Sequence, residues 1–220
     1  MPNKSIIFDM DGVIFDTENL FLGCWREIAA EQGLAGIDEV YRRVIGVKAE
    51  ISRAVFLETY GADFAYDELN GRALKMFHAV ADSEGIPMKP GVVPLLNHLR
   101  KDGFTIGLAS STRAETVRKQ LGDSGLLGYF HAVVGGDMVE NSKPAPDIFL
   151  AACEQIGAVP AETYVVEDSY NGVRAAHAAG MKVIMVPDIV MPDEEMRGLA
   201  GWIFPSLVEL LEFFSKNACN

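Results

Sequence analysis

The chain has 220 residues, 49% of them hydrophobic, which is enough for a sizeable core. Its 31 acidic and 19 basic side chains give a formal net charge of −12, which disfavours nucleic acids and anionic membrane surfaces as partners. No apolar run reaches the ~20 residues of a membrane span, and the first residues lack a secretory pattern. With three widely spaced cysteines, these features predict a cytoplasmic protein without a disulfide framework, a zinc site or an obligate protein partner.

The first part of the chain predicts one strand followed by a series of helices. Residues 5–9 are apolar and rich in β-branched side chains, as is typical of a buried strand. Four helical segments follow, with Thr17 as the expected N-cap of the first. They cover residues 17–33, 38–45, 50–60 and 66–84. No strand pattern interrupts them, so residues 17–85 are predicted to form a small α-helical domain.

Strands and helices alternate through the rest of the chain. The predicted strands cover residues 105–109, 132–134, 163–166, 182–186 and 202–204. The predicted helices cover residues 92–101, 113–123, 146–157, 171–179 and 206–214. Because the strands are apolar throughout, they indicate a parallel sheet covered by helices on both faces. The prediction is therefore an α/β, Rossmann-like core at residues 1–16 and 86–220, with the helical domain inserted after the first strand.

Acidic and hydroxyl side chains follow three of these predicted strands. They are Asp9 and Asp11, Ser110 and Ser111, and Glu167 and Asp168. The carboxyl ends of parallel strands form the edge where open α/β sheets bind ligands. Carboxylates gathered at one edge repel each other unless a cation joins them. Since these ligand atoms are all oxygens, the pattern favours Mg²⁺ over a zinc-type site.

Lys143 adds a positive charge to this set. It lies in the segment 142–147, whose two prolines stiffen the loop and begin the next helix. A fixed ammonium and Mg²⁺ can together stabilise the charge of a transferring phosphoryl group, and aspartate is an established phosphoryl acceptor. The residues therefore indicate phosphoryl transfer, with a small phosphorylated metabolite as the partner.

Four motifs resemble those of the haloacid dehalogenase superfamily. They are DMDGVIFDT at 9–17, LASS at 108–111, KPAPD at 143–147 and EDSYNG at 167–172. All four occur in order, at predicted strand ends, across nearly the whole chain. The helical insertion between the first two is similar to the C1 cap of that superfamily. The chain thus resembles the subgroup that contains beta-phosphoglucomutase and related phosphatases.

The resemblance implies a role for each motif residue. Asp9 would be the nucleophile and Asp11 the general acid and base. Mg²⁺ would be held by Asp9, by the backbone carbonyl of Asp11 and by Asp168, with Glu167 beside or among its ligands. The phosphoryl group would be bound by Ser110, Ser111 and Lys143.

Further residues are expected to support the site or to contact the substrate. Asp16 and Thr17 would shape the hinge between the two domains, and Asn171 would orient Asp168. In the helical domain, the candidates for substrate contact are Phe21, Lys48, Arg53 and Lys75.

The sequence indicates phosphoryl transfer to Asp9 more strongly than it indicates whether hydrolysis or a mutase reaction follows. Beta-phosphoglucomutases have a histidine where this chain has Phe21 and an arginine where it has Ala49, which favours simple hydrolysis. The leading hypothesis is a Mg²⁺-dependent phosphatase of sugar or polyol phosphates. A sugar phosphate mutase is one alternative, and a phosphate-binding regulatory protein without turnover is a second. Asp11 disfavours a dehalogenase, because dehalogenating relatives lack this residue.

Overall fold

The computed structural model describes residues 4–45 and 49–217, with side chains as far as residue 216. The chain divides into two compact units. The core unit combines Met1–Phe15 with Met88–Asn220, and the helical unit is Asp16–Pro87. Within the described residues, no helix has both the length and the apolar character needed to cross a membrane.

The core unit is built on a six-stranded parallel sheet. Its strands are β1 (Ser5–Phe8), β2 (Thr105–Ser110), β3 (Ala132–Gly135), β4 (Tyr164–Glu167), β5 (Lys182–Met185) and β6 (Trp202–Ile203). They lie in the order β3-β2-β1-β4-β5-β6, and every neighbouring pair is parallel. The chain builds outward from β1 to β3 on one side and from β4 to β6 on the other. The strand order reverses direction between the neighbouring strands β1 and β4, and such a switch point is where these sheets bind ligands.

The helical unit contains α1 (Thr17–Gln32), α2 (Ile37–Arg42), α3 (Ala49–Tyr60) and α4 (Tyr66–Glu84). Aromatic rings fill its interior. Phe56 packs against both Trp25 and Tyr66, with ring centroids 4.6 Å and 5.0 Å away respectively. Large buried rings contribute much of the hydrophobic stabilisation available to so small a unit. Gly85 ends α4 with φ of 78°, a left-handed conformation that glycine adopts without strain.

Six helices of the described chain pack around the sheet in the core unit. They are α5 (Val92–Lys101), α6 (Ala114–Asp123), α7 (Asp147–Gln155), α8 (Tyr170–Ala178), α9 (Glu194–Leu199) and α10 (Leu207–Asn217). One buried cluster joins α7, α8 and α9 to alternate strand residues such as Ile7, Val165 and Val183. The intervening residues, among them Ile6 and Phe8, are buried as well. Both faces of the sheet are thus covered, which confirms the α/β fold predicted from the apolar strands.

Two local predictions need correction. Thr17 is the first residue of α1 and Asp16 is its N-cap, so the capping role assigned to Thr17 was wrong. Two good capping residues stand next to each other there, and sequence alone does not decide between them. The helix α9 was missed because it has only six residues. Its start is marked by Asp193, whose carboxylate accepts a hydrogen bond from the Met196 N–H at 2.8 Å.

Candidate active site

The candidate active site lies where β1, β2 and β4 end in the core unit. Asp9 directly follows β1, and its N–H donates to the Val166 carbonyl at 2.9 Å, which extends the β1–β4 ladder by one residue. Phe8 is in register with Leu108 on β2 and Val166 on β4. The ends of these strands therefore meet beside the switch point, as the parallel arrangement predicts.

Lys143 is bound between two carboxylates at this edge. Its ammonium donates to Asp9 Oδ1 and to Glu167 Oε1, the second at 2.6 Å. The Lys143, Asp9 and Glu167 side chains are 7%, 8% and 0% exposed, respectively. The ammonium also lies 4.8 Å from the ring centre of Phe149 on α7. A buried ion pair is stable only where such contacts replace water, so Lys143 is held in one position.

The charges in this cluster shift the pKa values of their neighbours. Burial raises the pKa of Asp9 to about 8; Lys143 opposes this rise, while Glu167 and Asp11 add to it. Burial lowers the pKa of Lys143, but the charges of Asp9 and Glu167 outweigh that effect and hold it above its ordinary value. The lysine therefore stays an ammonium. One ammonium does not neutralise these carboxylates, and further positive charge would stabilise their ionised forms.

Glu167 accepts hydrogen bonds on both carboxylate oxygens. Oε2 accepts from the N–H groups of Asp168 and Ser169, each at 2.9 Å, and from the Ser169 hydroxyl at 3.0 Å. Gly172 packs against the same carboxylate, and a Cβ there would lie 1.7 Å from Oε1. Only glycine fits at that position. Glu167 thus ties Lys143 to the turn that carries Asp168.

Asp11 lies next to hydroxyl groups at the end of β2. Its Oδ2 accepts from Ser110 Oγ at 3.3 Å and from Thr112 Oγ1 at 3.1 Å. The sequence prediction named Ser110 and Ser111 but missed Thr112. Residues 111 and 112 form a bend after β2, in which the Thr112 N–H donates to Ser110 Oγ at 3.0 Å, so strand periodicity does not identify Thr112. Ser111, between them, is exposed.

Gly12 brings the turn after Asp11 close to Asp168. Its φ is 79°, and a Cβ at this position would lie 2.2 Å from Asp168 Oδ2. The Asp168 carboxylate is buried and occupies the space that any side chain at residue 12 would need. The end of β1 and the end of β4 are thereby in direct contact through Gly12 and Asp168.

The donor atoms of the cluster are of the kind that Mg²⁺ prefers. Within the described residues, no three His, Cys, Asp or Glu side chains form a complete metal site by themselves. Mg²⁺ does not require one, because it usually binds one or two carboxylates together with water and phosphate oxygens. Asp9, Asp11 and Asp168 offer only oxygen atoms. The excess of carboxylate over ammonium, together with the cradle that Gly12 leaves for Asp168, fits a hard divalent cation.

The remaining predicted residues are placed as follows. Asn171 Oδ1 accepts from Arg174 Nη1 at 3.3 Å, and Asp16 Oδ1 accepts from Asn19 Nδ2 at 2.8 Å. Thr17 is buried, and its hydroxyl oxygen has no hydrogen-bond partner.

Within the helical unit, the substrate-contact candidates have different surroundings. The ring of Phe21 lies about 6 Å from those of Tyr41 and Phe77, centroid to centroid. Arg53 Nε pairs with Asp67 at 3.1 Å, and Lys75 is exposed. Lys48 lies outside the described residues.

The family model described as haloacid dehalogenase-like hydrolase matches residues 6–186. Three curated proteins are similar over most of their length. The YhcW protein of Bacillus subtilis is 37% identical, over 85% of this chain and 84% of that protein. The phosphorylated carbohydrates phosphatase of Thermotoga maritima is 33% identical, over 82% and 83% respectively. The beta-phosphoglucomutase of Bacillus subtilis is 32% identical, over 83% of each.

Solved structures share the architecture of this chain. A Thermotoga maritima crystal structure with 29% identity aligns at a TM-score of 0.78, over 97% of this chain and 99% of the other. CbbY from Rhodobacter sphaeroides, solved in complex with phosphate, has 28% identity and a TM-score of 0.72, over 94% and 96%. These similarities extend over both units of the chain.

Proposed function

This chain belongs to the haloacid dehalogenase-like hydrolase family, and from that premise we propose that it is a Mg²⁺-dependent phosphatase of a small phosphorylated metabolite. Membership of this family, together with a relative named as a phosphatase, identifies the chain as a phosphoric monoester hydrolase. The observation that carries the proposal is the buried Lys143 ammonium bound to both Asp9 and Glu167. It fixes a carboxylate at a strand end and supplies positive charge to an anionic substrate.

In the first step, Asp9 attacks the phosphorus atom of the substrate. Lys143 holds Oδ1, so we assign Oδ2 as the attacking oxygen. A bond forms between Oδ2 and phosphorus, and the ester P–O bond breaks. Asp11 gives its proton to the leaving oxygen, so the products are an alcohol and a phosphoryl group on Asp9.

In the second step, Asp11 acts as the base. Its carboxylate takes a proton from a water molecule, which attacks the phosphorus atom and breaks the bond to Asp9. Hydrogen bonds from Ser110 and Thr112 to Asp11 Oδ2 fix the orientation of this carboxyl group. Inorganic phosphate is released, and both aspartates return to their starting states.

Asp9, the backbone carbonyl of Asp11 and Asp168 would hold Mg²⁺, which when bound stabilises the negative charge of the phosphoryl oxygens. Glu167 has a different role in this proposal. Its oxygens accept hydrogen bonds from Lys143 and from the turn at 167–169, so we assign it to positioning Lys143 and Asp168. Ser110, Ser111 and Lys143 would contact the phosphoryl oxygens.

The proposed substrates are sugar or polyol phosphates in the cytoplasm. The Thermotoga maritima relative is named for phosphorylated carbohydrates, and it covers 82% of this chain. In the helical unit, Phe21, Lys48 and Lys75 remain proposed contacts of the organic part of the substrate. Arg53 is the weaker candidate, because its guanidinium is paired with Asp67.

Hydrolysis of p-nitrophenyl phosphate tests the proposal. We expect phosphate release that requires Mg²⁺ and that falls by about 10³-fold or more in Asp9→Asn. Asp123→Asn is the matched control, because Asp123 is an exposed aspartate on α6 of the same unit. If Asp9→Asn retains wild-type turnover, the assigned nucleophile is wrong. If wild type shows no Mg²⁺-dependent release, the non-catalytic regulatory alternative replaces the phosphatase.

Sugar phosphate mutase activity is the second candidate function, favoured by the 32% identity to a beta-phosphoglucomutase. The mutase histidine is replaced here by Phe21, whose ring packs among Tyr41 and Phe77. We therefore expect beta-glucose 1-phosphate with a bisphosphate primer to be hydrolysed faster than it is converted to glucose 6-phosphate. The opposite order of rates would establish the mutase.

A further inference from the structure

A second buried ion pair lies in the core unit, formed by residues outside the four motifs. Lys89 Nζ donates to Asp188 Oδ1 at 2.6 Å, and the two side chains are 19% and 5% exposed. Burying such a pair costs desolvation, and apolar residues of similar volume often give equal or greater stability. The pair therefore suggests a role other than stability.

Lys89 is bound to the turn that follows the two catalytic aspartates. Its N–H donates to the Ile14 carbonyl at 2.9 Å, and the preceding Met88 forms an antiparallel bridge with Phe15. The turn itself is closed by a hydrogen bond from the Gly12 N–H to the Phe15 carbonyl at 2.9 Å. The backbone of residues 88–89 is thus paired with the last residues of the turn at 10–15.

Asp188 belongs to a segment anchored at the end of β4. Two residues separate it from the last residue of β5, and the first of them, Val186, donates its N–H to the Glu167 carbonyl at 2.7 Å. Glu167 directly precedes Asp168. The Lys89–Asp188 pair therefore links the segment that follows Asp11 to the segment beside Asp168.

A cavity separates these two segments. It has a volume of about 200 Å³ and is lined by Gly12 and Val13 on one side and by Val186, Pro187 and Asp188 on another. The ion pair is a direct polar link across this region. On its other side Gly12 lies against Asp168, since a Cβ added at residue 12 would fall 2.2 Å from the Asp168 carboxylate.

We propose that Lys89 and Asp188 are positioning residues for the reaction, because they set the spacing between the Gly12–Val13 turn and Asp168. The inference rests on the proposed function where catalysis is concerned. Displacing catalytic groups by about 1 Å can cost on the order of 10²-fold in rate. Loss of the pair should therefore reduce turnover more than it reduces stability.

The test variant is the double substitution Lys89→Met/Asp188→Leu, which removes both charges and leaves no buried charge unpaired. Lys119→Met/Asp123→Leu makes the same changes in an exposed Lys–Asp pair on α6 and is the matched control. With p-nitrophenyl phosphate we expect the test variant to lose about 10-fold or more in kcat, with KM within about twofold of wild type. The control variant should change neither constant by more than about twofold.

A second measurement does not depend on activity. Hydrogen exchange followed by mass spectrometry should show faster exchange in peptides covering residues 10–15 and 186–188 of the test variant, and no change in the control. Unchanged exchange together with wild-type kcat would overturn the inference and leave the phosphatase intact. If wild type proves inactive, the proposed function fails and the exchange result alone decides the positioning role.

A third variant covers the case in which the double substitution prevents folding. Asp188→Glu keeps both charges but lengthens one side chain by a methylene group. We expect lower kcat at an unchanged melting temperature. Wild-type kcat in this variant, with unchanged exchange at residues 10–15, would contradict a positioning role.

Discussion

The core unit and the helical unit place their charged side chains differently. In the helical unit, the ion pairs Arg26–Asp38, Arg43–Glu58, Arg53–Asp67 and Arg72–Glu31 have side chains between 38% and 73% exposed. In the core unit, Lys143, Asp9 and Glu167 form an ion-pair cluster in which no side chain exceeds 8% exposure.

The difference in burial implies a difference in energy and in role. An exposed pair contributes about 0–1 kcal/mol, since water already solvates its charges well. Removing one partner from a buried pair typically costs about 3–5 kcal/mol, because the other charge loses its compensation. A protein bears that desolvation cost where fixed charges perform chemistry. The comparison therefore supports the proposal that the reaction takes place at the strand ends of the core unit, away from the exposed surface pairs of the helical unit.

The largest expected effect comes from removing the central ammonium. Lys143→Met should lower kcat for p-nitrophenyl phosphate by about 10³-fold, because Asp9 and Glu167 lose their shared cation and the phosphoryl group loses its positive partner. Arg26→Met removes a cation that makes two hydrogen bonds to Asp38 at the surface, and it should leave kcat within about twofold. A comparable loss of kcat in both variants would contradict the proposed difference in role between the core unit and the helical unit.

A smaller effect is expected from closing the space in front of Asp168. Gly12→Ala should lower kcat by about 10²-fold, because the new Cβ displaces the Asp168 carboxylate. Gly33→Ala is the control: Gly33 also has positive φ, 68°, but nothing lies within 4 Å of the added Cβ. Both variants should lose about 1–2 kcal/mol of unfolding free energy through backbone strain. If Gly12→Ala keeps wild-type turnover, Asp168 does not need its present position.

The smallest effect concerns the pH dependence of stability in metal-free protein. The pKa of Asp9 rises from 3.8 to about 8, so between these values the folded protein holds a proton that the unfolded chain has released. This contribution therefore lowers the free energy of unfolding as the pH rises from about 4 to 8, by on the order of 1 kcal/mol or more.

Denaturant unfolding in EDTA at pH 5 and pH 8 measures this contribution. Asp9→Asn has no titrating group at residue 9, so it should gain stability relative to wild type at the higher pH. The Asp38→Asn variant, at an exposed position of the helical unit, should show no such gain. Parallel pH profiles for wild type and Asp9→Asn would show that Asp9 is ionised throughout this range.

The sheet and the positions of the aspartates that we propose to be catalytic could be predicted from the sequence. Strands such as Ile6–Phe8 are apolar at every position, so their burial on both faces and the edge at which Asp9 emerges follow from general rules of parallel sheets. The position of Thr112 could not be predicted in this way, because the chain bends at residues 111–112, beyond the end of β2.

Contacts between segments far apart in the chain could not be predicted in the same way. The motifs placed Lys143 in the same site as Asp9, 134 positions away, but did not show that it binds Asp9 and Glu167 directly. Nothing in the sequence pairs Lys89 with Asp188, 99 positions away. The sequence around a lysine does not indicate which carboxylate that lysine binds. The role of Glu167 in holding Lys143 likewise depends on how the loops pack, because its residue type fits a metal ligand equally well.

The central claim is that Asp9 receives the phosphoryl group, and acid quenching during turnover tests it most directly. Mass spectrometry of the quenched enzyme should find the mass of one phosphoryl group on the peptide that contains Asp9. Hydroxylamine should remove it, as expected of an acyl phosphate, and Asp9→Asn should lack it. A phosphoryl group that resists hydroxylamine, or that maps to Ser110, would contradict the account.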